Sequence, residues 1–292
     1  MRGSEMSRLP HYWRLMRFHR PIGIWLLLWP TLWALWFAAD GPPPLHVFVV
    51  FVLGTVLMRA AGCVINDLAD REFDPHVART RDRPIAAGLV RPREAIVLFG
   101  ALCVVALTLT ASLQNVRVLL LSIPAVLLAA IYPFTKRWIS MPQAVLGLAF
   151  SWGIPMAFAA VRPDVPWNTV WLLMAANVCW VIAYDTFYAM ADREDDLRIG
   201  VKSSAIFFGS GDRAITAALQ VTTLLLLAWV GRDLGPAWRV GLAVAAALAA
   251  QQQWTIRTRD PQACFRAFLA NHYFGAAVFL GLAVDRLALA AR

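Results

Sequence analysis

Nine of the chain's 18 acids are crowded into two windows. Asp67, Asp70, Glu72 and Asp74 form one, and Asp185, Asp192, Glu194, Asp195 and Asp196 form the other. In a helical frame, Asn66, Asp70 and Asp74 fall at i, i+4 and i+8 with Asp67 one step aside, and Asp185, Asp192 and Asp196 fall at i, i+7 and i+11. Each set is therefore expected to make a stripe along one face. Like charges so placed repel, so a cation is expected to offset them. Carboxylates and an amide select hard cations, and Mg2+ takes one or two protein carboxylates and completes its octahedron with water and phosphate oxygens. Asn66, Asp67, Asp70, Asp74, Asp185, Asp192 and Asp196 are thus candidate ligands for two or more Mg2+ ions bridged by a diphosphate.

Bases follow the acids. Arg79, Arg81 and Arg83 come directly after the first window, and Lys136 and Arg137 stand in YPFTKRW. Guanidinium and ammonium groups there would meet the same polyanion. A charged loop is often no more than a solvated surface. Two acidic windows of ligand spacing on one membrane face argue against that here. Arg59 lies within an otherwise apolar stretch, where an arginine costs roughly 2.5 kcal/mol or more. Two helical turns separate it from Asn66, placing it about 10 Å deeper. Snorkelling to the surface is one account of it; a receptor for the anionic group of a second, smaller substrate is the sharper one.

The elements that position these residues must lie in lipid. The chain has 292 residues, 60% hydrophobic and 15% charged, with 13 Trp and a mean hydropathy of +0.59. A helix needs roughly 20 apolar residues to cross about 30 Å of hydrocarbon. Nine spans are expected, at 22–39, 45–65, 94–111, 116–132, 143–161, 168–190, 213–230, 237–252 and 264–284. The first forty residues show no signal-peptide cleavage pattern. HYWRLMRFHRP, within residues 1–20, predicts an interfacial helix with Tyr12, Trp13, Leu15, Met16 and Phe18 facing lipid. Four spans separate the two acidic windows, so both return to one side. With the N-terminus inside, 18 of the 27 basic residues fall on inner segments, which predicts a cytoplasmic N-terminus and an external C-terminus. The net charge of +9 then reflects topology and attraction for anionic lipid or substrate, with no nucleic-acid motif. Cys63, Cys103, Cys179 and Cys264 have no CxxC spacing and the five histidines form no ligand pair, so neither disulfides, zinc nor haem are indicated.

RAAGCVINDLADREFDPHVARTRDRPIAAG, YDTFYAMADREDD with IGVKSSAI, RPIGIWLLLWPTLWAL and YPFTKRW together resemble the UbiA superfamily of intramembrane aromatic prenyltransferases, and within it the 4-hydroxybenzoate polyprenyltransferases of ubiquinone biosynthesis. The likeness covers nearly the whole chain. It implies an all-α polytopic membrane protein, nine helices around a central cavity open laterally to lipid, in one domain spanning 1–292. Two four-helix halves, about 21–140 and 141–252, plus a ninth helix would fit a duplication. The resemblance implies metal-binding roles for Asn66, Asp70, Asp74, Asp185, Asp192 and Asp196. It implies diphosphate contacts for Arg79 and Lys136 with Tyr132 nearby, and acceptor contacts for Arg59 and Ser151 with Arg20 as a neighbour. The implied substrates are a polyprenyl diphosphate and 4-hydroxybenzoate, at a bacterial inner membrane, with contact to other quinone-forming enzymes as a further expectation. Trp152, Phe187 and Tyr188 are candidates to stabilise an allylic cation.

Rival readings are a sister enzyme using naphthoate, homogentisate, haem or a chlorophyllide, a transporter, and a noncatalytic scaffold. A transporter would place its acids near the midplane. A scaffold gives no reason for two metal-spaced sets.

Overall fold

The computed structural model describes residues 8–76 and 80–290, and among these every regular element is helical. In chain order the α-helices are α1 Leu9–Leu15, α2 Ile22–Ala39, α3 Leu45–Ala69, α4 Pro92–Ala111, α5 Val116–Thr135, α6 Pro142–Ser151, α7 Gly153–Val161, α8 Trp167–Ala191, α9 Arg193–Ile199, α10 Ser204–Phe208, α11 Asp212–Val230, α12 Pro236–Thr255, α13 Pro261–Leu269 and α14 Asn271–Ala290. Proline opens α4, α6, α12 and α13, where its missing N–H costs nothing. Asn115 caps α5 by accepting from the amides of Arg117 and Val118 at 3.0 and 3.4 Å.

Nine long rods among the described residues occupy the nine expected places, two of them broken. The fifth divides at Trp152 into α6 and α7, because Pro155 cannot bond back to Ser151 and its ring crowds that carbonyl. The ninth divides at Ala270, where Asn271 donates to the Ala267 carbonyl at 2.9 Å and accepts from the Trp180 indole at 3.0 Å. Eight helical stretches of the described residues are long and apolar enough to cross a bilayer. The exception is α12, diluted by Arg239 and Gln251–Gln253. Its polar residues are used internally: Gln220 donates to Gln252 at 2.7 Å, and Gln253 donates to Gln220 at 2.9 Å, tying α12 to α11. On its other side Gly241 lets its backbone touch α14, since a Cβ there would sit 2.8 Å from the Gly281 Cα.

An aromatic core joins α2, α8 and α14. The Trp33 and Trp180 rings lie 5.3 Å apart, and the Trp33 indole donates to the Gly275 carbonyl at 3.1 Å. The outside is apolar, with Val104, Leu107, Leu120, Leu127 and Leu225 all exposed. Only 11% of the span formed by α4 and 17% of that formed by α5 is buried, so these two helices are a single-layer wall. The molecule is a multi-pass membrane protein.

Two expectations need correction. The five residues expected to face lipid from the N-terminal segment do not all point outward. Leu15 is fully buried against Ala60, Ala61 and Val64 of α3, with Tyr12, Met16 and Phe18 packed around it, and only Trp13 remains exposed. The chain leaves α1 through Arg17 in a left-handed conformation, φ 61°, which turns that arginine back over α3. Nor do the acidic stripes run along continuous helices. α3 stops at Ala69 and α8 at Ala191; Asp70 (φ −91°, ψ 2°) and Asp192 (φ −101°, ψ 4°) each stand just past the end. Asp74 then opens a 3-10 turn and Asp196 lies in the separate helix α9. Each helix carries the first acid of its window, Asp67 or Asp185, and ends at the second, which relieves the like-charge stacking that an unbroken stripe would impose. Both α3 and α8 have 25 residues, about 37 Å of rise, more than the hydrocarbon thickness. Their ends therefore stand clear of the hydrocarbon.

Candidate active site

A cavity of about 1060 Å³ runs down between α2, α3, α5, α6 and α8. Asn66, Asp67, Asp70 and Asp74 line its mouth from the α3 side, and Asp185, Asp192 and Asp196 line it from α8 and α9. The two windows thus converge on one space. Tyr132 bridges them, within electrostatic reach of both Asp70 and Asp185.

The first window is organised by cations. Arg17 donates to Asp67 at 2.8 and 3.1 Å, and Arg83 lies 3.4 Å from the same carboxylate. Arg83 also donates to both oxygens of Asp74 at 2.9 Å and lies 3.9 Å from Asp70. Lys136 donates to Asp70 Oδ2, and the Asn66 amide reaches the same oxygen at 3.2 Å. The other oxygen, Asp70 Oδ1, is buried with no hydrogen-bond partner among the described residues. Burial pushes the Asp74 carboxyl above the ordinary carboxylate range, against the pull of Arg83. Burial pulls the Arg17 guanidinium down, with Asp67 opposing it. Burial also opposes the charge on Arg83, but Asp67 and Asp74 outweigh it and raise that group. Among the described residues no three acids, histidines or cysteines form a ready-made metal cage.

The second window is braced from behind. Asp212, fully buried, accepts from Arg193 and from Arg259 Nη2 at 2.8 Å, and Arg193 also donates to the Ala205 carbonyl at 2.7 Å. This clasp ties the start of α9, and so Asp192 and Asp196, to α11 and to the turn after α12. Lys202 stitches the two sides of the mouth, its backbone N–H donating to the Lys136 carbonyl at 3.2 Å and its ammonium to the Trp138 carbonyl at 2.9 Å.

Arg59 lies deeper, on the cavity wall, 5.9 Å from the centre of the Phe150 ring. No carboxylate among the described residues pairs with it. Gly23 makes room for it: a Cβ there would fall 2.1 Å from Arg59 Nε. Arg20 and Tyr132 also line the cavity.

Three of the expected site residues are placed elsewhere. Arg137 does not line the cavity; its guanidinium donates to the Ala69 carbonyl and stacks over Phe73 and Phe134 at 5.2 and 5.5 Å, closing the C-terminus of α3. Ser151 is fully buried between helices, donating to the Gly147 carbonyl at 2.6 Å and accepting from Asn177 at 2.9 Å, so its hydroxyl is already used. Phe187 is buried in the core, whereas Trp152 and Tyr188 do line the cavity. Arg79 lies outside the described residues. Asp67 lines the cavity, but arginines occupy its carboxylate. Sequence reasoning missed Arg17, Gly23, Tyr184 and Asp212. The adjacency of Tyr184 to Asp185 was the available signal for one; the other three act through a turn or a distant contact that spacing does not reveal.

Known proteins resemble this chain along nearly its whole length. A 4-hydroxybenzoate octaprenyltransferase of Methylococcus capsulatus is 57% identical over 286 residues, covering 97% of each chain. The apo structure of a UbiA homolog from Aeropyrum pernix K1 superposes with a TM-score of 0.79 at 26% identity, over 90% of this chain and 97% of that one. A UbiA homolog from Archaeoglobus fulgidus, bound to GPP and Mg2+, shares the fold with a TM-score of 0.73 at 20% identity, over 95% of this chain and 99% of that one. The sequence profile of the UbiA prenyltransferase family matches residues 27–277, and with relatives this similar along nearly its full length, the chain belongs to that family.

Proposed function

We propose that this chain transfers a polyprenyl group, of the octaprenyl length its relatives' names carry, from its diphosphate to 4-hydroxybenzoate, at the ring carbon ortho to the hydroxyl, in ubiquinone synthesis. The observation that carries this reading is a cavity with carboxylates on both sides of its mouth and, well below them, Arg59, which has no acidic partner among the described residues. The acids stand at helix ends near the mouth instead of at the midplane, which disfavours a transporter.

The donor set fits Mg2+. All of its members are oxygen ligands, and Asp70 Oδ1 is a buried oxygen in need of a partner. Mg2+ needs only one or two protein carboxylates once phosphate oxygens complete its shell, so a preformed cage is not required. Asn66, Asp70 and Asp74 would hold it on one side and Asp185, Asp192 and Asp196 on the other, while Asp67 orders the arginines around them. Bound there, the ions would supply charge neutralisation for the diphosphate as its bond to the allylic carbon weakens.

The chain's own residues do the rest. Lys136 and Arg83, with Arg79 as a proposed further contact, offer positive charge to the departing diphosphate, and Tyr132 stands at the boundary between the polar mouth and the apolar chamber. The allylic C–O bond breaks with its electron pair leaving on diphosphate. Trp152 and Tyr188 present aromatic faces to the resulting cation. Arg59 holds the acceptor's carboxylate, and Arg20 lies on the approach. The acceptor's ring carbon attacks the cation and loss of the ring proton restores aromaticity. The apolar chamber keeps out water that would quench the cation. Among the described residues, the arginines at the mouth and the distribution of basic residues support a cytoplasmic mouth and N-terminus, an external C-terminus and placement in a bacterial inner membrane. The matched endings of α3 and α8 support two four-helix halves, about 21–140 and 141–252, followed by the ninth rod.

Purified protein given an octaprenyl diphosphate, 4-hydroxybenzoate and Mg2+ is expected to release diphosphate and form a prenylated benzoate, with turnover lost on chelation. Diphosphate release that does not depend on the benzoate, or none at all, would refute the assignment.

A further inference from the structure

The phenol of Tyr184 has no role in the chemistry described so far. Its side chain is 1% exposed and lines the cavity, yet its hydroxyl has no hydrogen-bond partner among the described residues. A buried hydroxyl left unpaired is costly, and one that faces a cavity can be satisfied by a molecule bound there. The ring is fixed, edge-on to Trp180 at 5.2 Å and beside Phe268 at 6.0 Å, so the hydroxyl cannot swing away to find another partner.

Depth identifies that partner. α3 and α8 end at the same mouth, at Asp70 and Asp192. Arg59 is eleven residues below the first, about 16 Å, and Tyr184 is eight residues below the second, about 12 Å. Tyr184 therefore stands about one helical turn nearer the mouth than Arg59. It remains within electrostatic reach of that arginine. An aromatic acid with its carboxylate on Arg59 and its ring pointing up towards the diphosphate would bring its opposite edge to the level of Tyr184.

On the functional reading above, we infer that Tyr184 is the specificity-determining residue for the acceptor's hydroxyl: its phenol hydrogen-bonds that oxygen and so sets which ring carbon faces the prenyl cation. Arg59 recognises one end of the acceptor and Tyr184 the other. A site built to bond a hydroxyl discriminates against the analogue that lacks it, because the protein group is then left unpaired.

The test compares equilibrium binding of 4-hydroxybenzoate and of benzoate to the purified full chain. Benzoate keeps the carboxylate and lacks the hydroxyl. The wild-type chain is expected to favour 4-hydroxybenzoate, and Tyr184→Phe to cut that preference by about fivefold to tenfold while leaving benzoate affinity unchanged. Benzoate binding doubles as the control for folding, and Arg59→Ala should weaken both acids together. Preference retained in Tyr184→Phe would overturn the inference alone, as would equal weakening of both acids by that variant. A wild-type chain with no preference for 4-hydroxybenzoate would overturn the inference and the functional reading together.

Discussion

Asp67 and Asp70 are neighbours in sequence with opposite commitments. Both carboxylates of the pair are buried, but Asp67 is surrounded by Arg17 and Arg83 whereas Asp70 presents one oxygen with no partner among the described residues. Their substitutions should therefore separate. Asp67→Asn leaves two guanidiniums facing a neutral amide and should cost about 3 kcal/mol of stability, read as a lower thermal midpoint in detergent. Asp70→Asn breaks the pairing with Lys136 and should also lower the midpoint, by less than Asp67→Asn since one Asp70 oxygen has no partner to lose, and it should reduce diphosphate release by more than about a hundredfold. Arg59→Ala should raise KM for 4-hydroxybenzoate far more than for the prenyl diphosphate. Gly23→Ala should reproduce that signature from a residue given no contact with substrate, because its new methyl would occupy the space of the Arg59 guanidinium. The sequence made the acids, Lys136 and Arg59 legible through charge placed against an apolar background. It could not distinguish Asp67 from Asp70, because their difference lies in Arg17, fifty residues earlier and aimed by a left-handed turn.

At the scale of elements, the positions of the rods followed from runs of apolar residues, while their endings did not. An i, i+4, i+8 pattern reads as a continuous helix; both helices instead stop at the second aspartate of their window, Asp70 or Asp192, before repulsion along a stripe can accumulate. Breaks within the fifth and ninth rods needed particular residues, Pro155 and Asn271, whose effect depends on what they meet in space. α9 is only seven residues long and too short to hold itself, so its orientation rests on the clasp of Arg193 and Arg259 around Asp212. Asp212→Asn should lower stability by about 2 kcal/mol, less than a fully buried pair because Arg259 remains partly in water. Its kcat should fall with KM for the acceptor unchanged, since Asp192 and Asp196 lose their support while Arg59 is untouched. Thermal unfolding together with steady-state kinetics on both substrates would check this, and an equal rise in acceptor KM would count against it.

For the molecule as a whole, the chamber is also a container for a long apolar chain. Gly54 lines it on α3, sixteen residues and about 24 Å below Asp70, and a Cβ there meets nothing within 4 Å. Gly54→Phe should therefore fold normally and accept a short allylic diphosphate while losing turnover with an octaprenyl one; parallel assays with both donors read the difference. The two helices that carry the opposed aspartates share one further property, their identical length of 25 residues, each begun just after a proline on the far side. The gap between the jaws is then gauged by the protein and not by the lipid around it: a thicker or thinner bilayer tilts both supports alike and leaves their tips level. Turnover measured in vesicles of graded acyl length should accordingly stay nearly constant, a tolerance suited to an enzyme whose own substrate and product dissolve in the membrane that holds it.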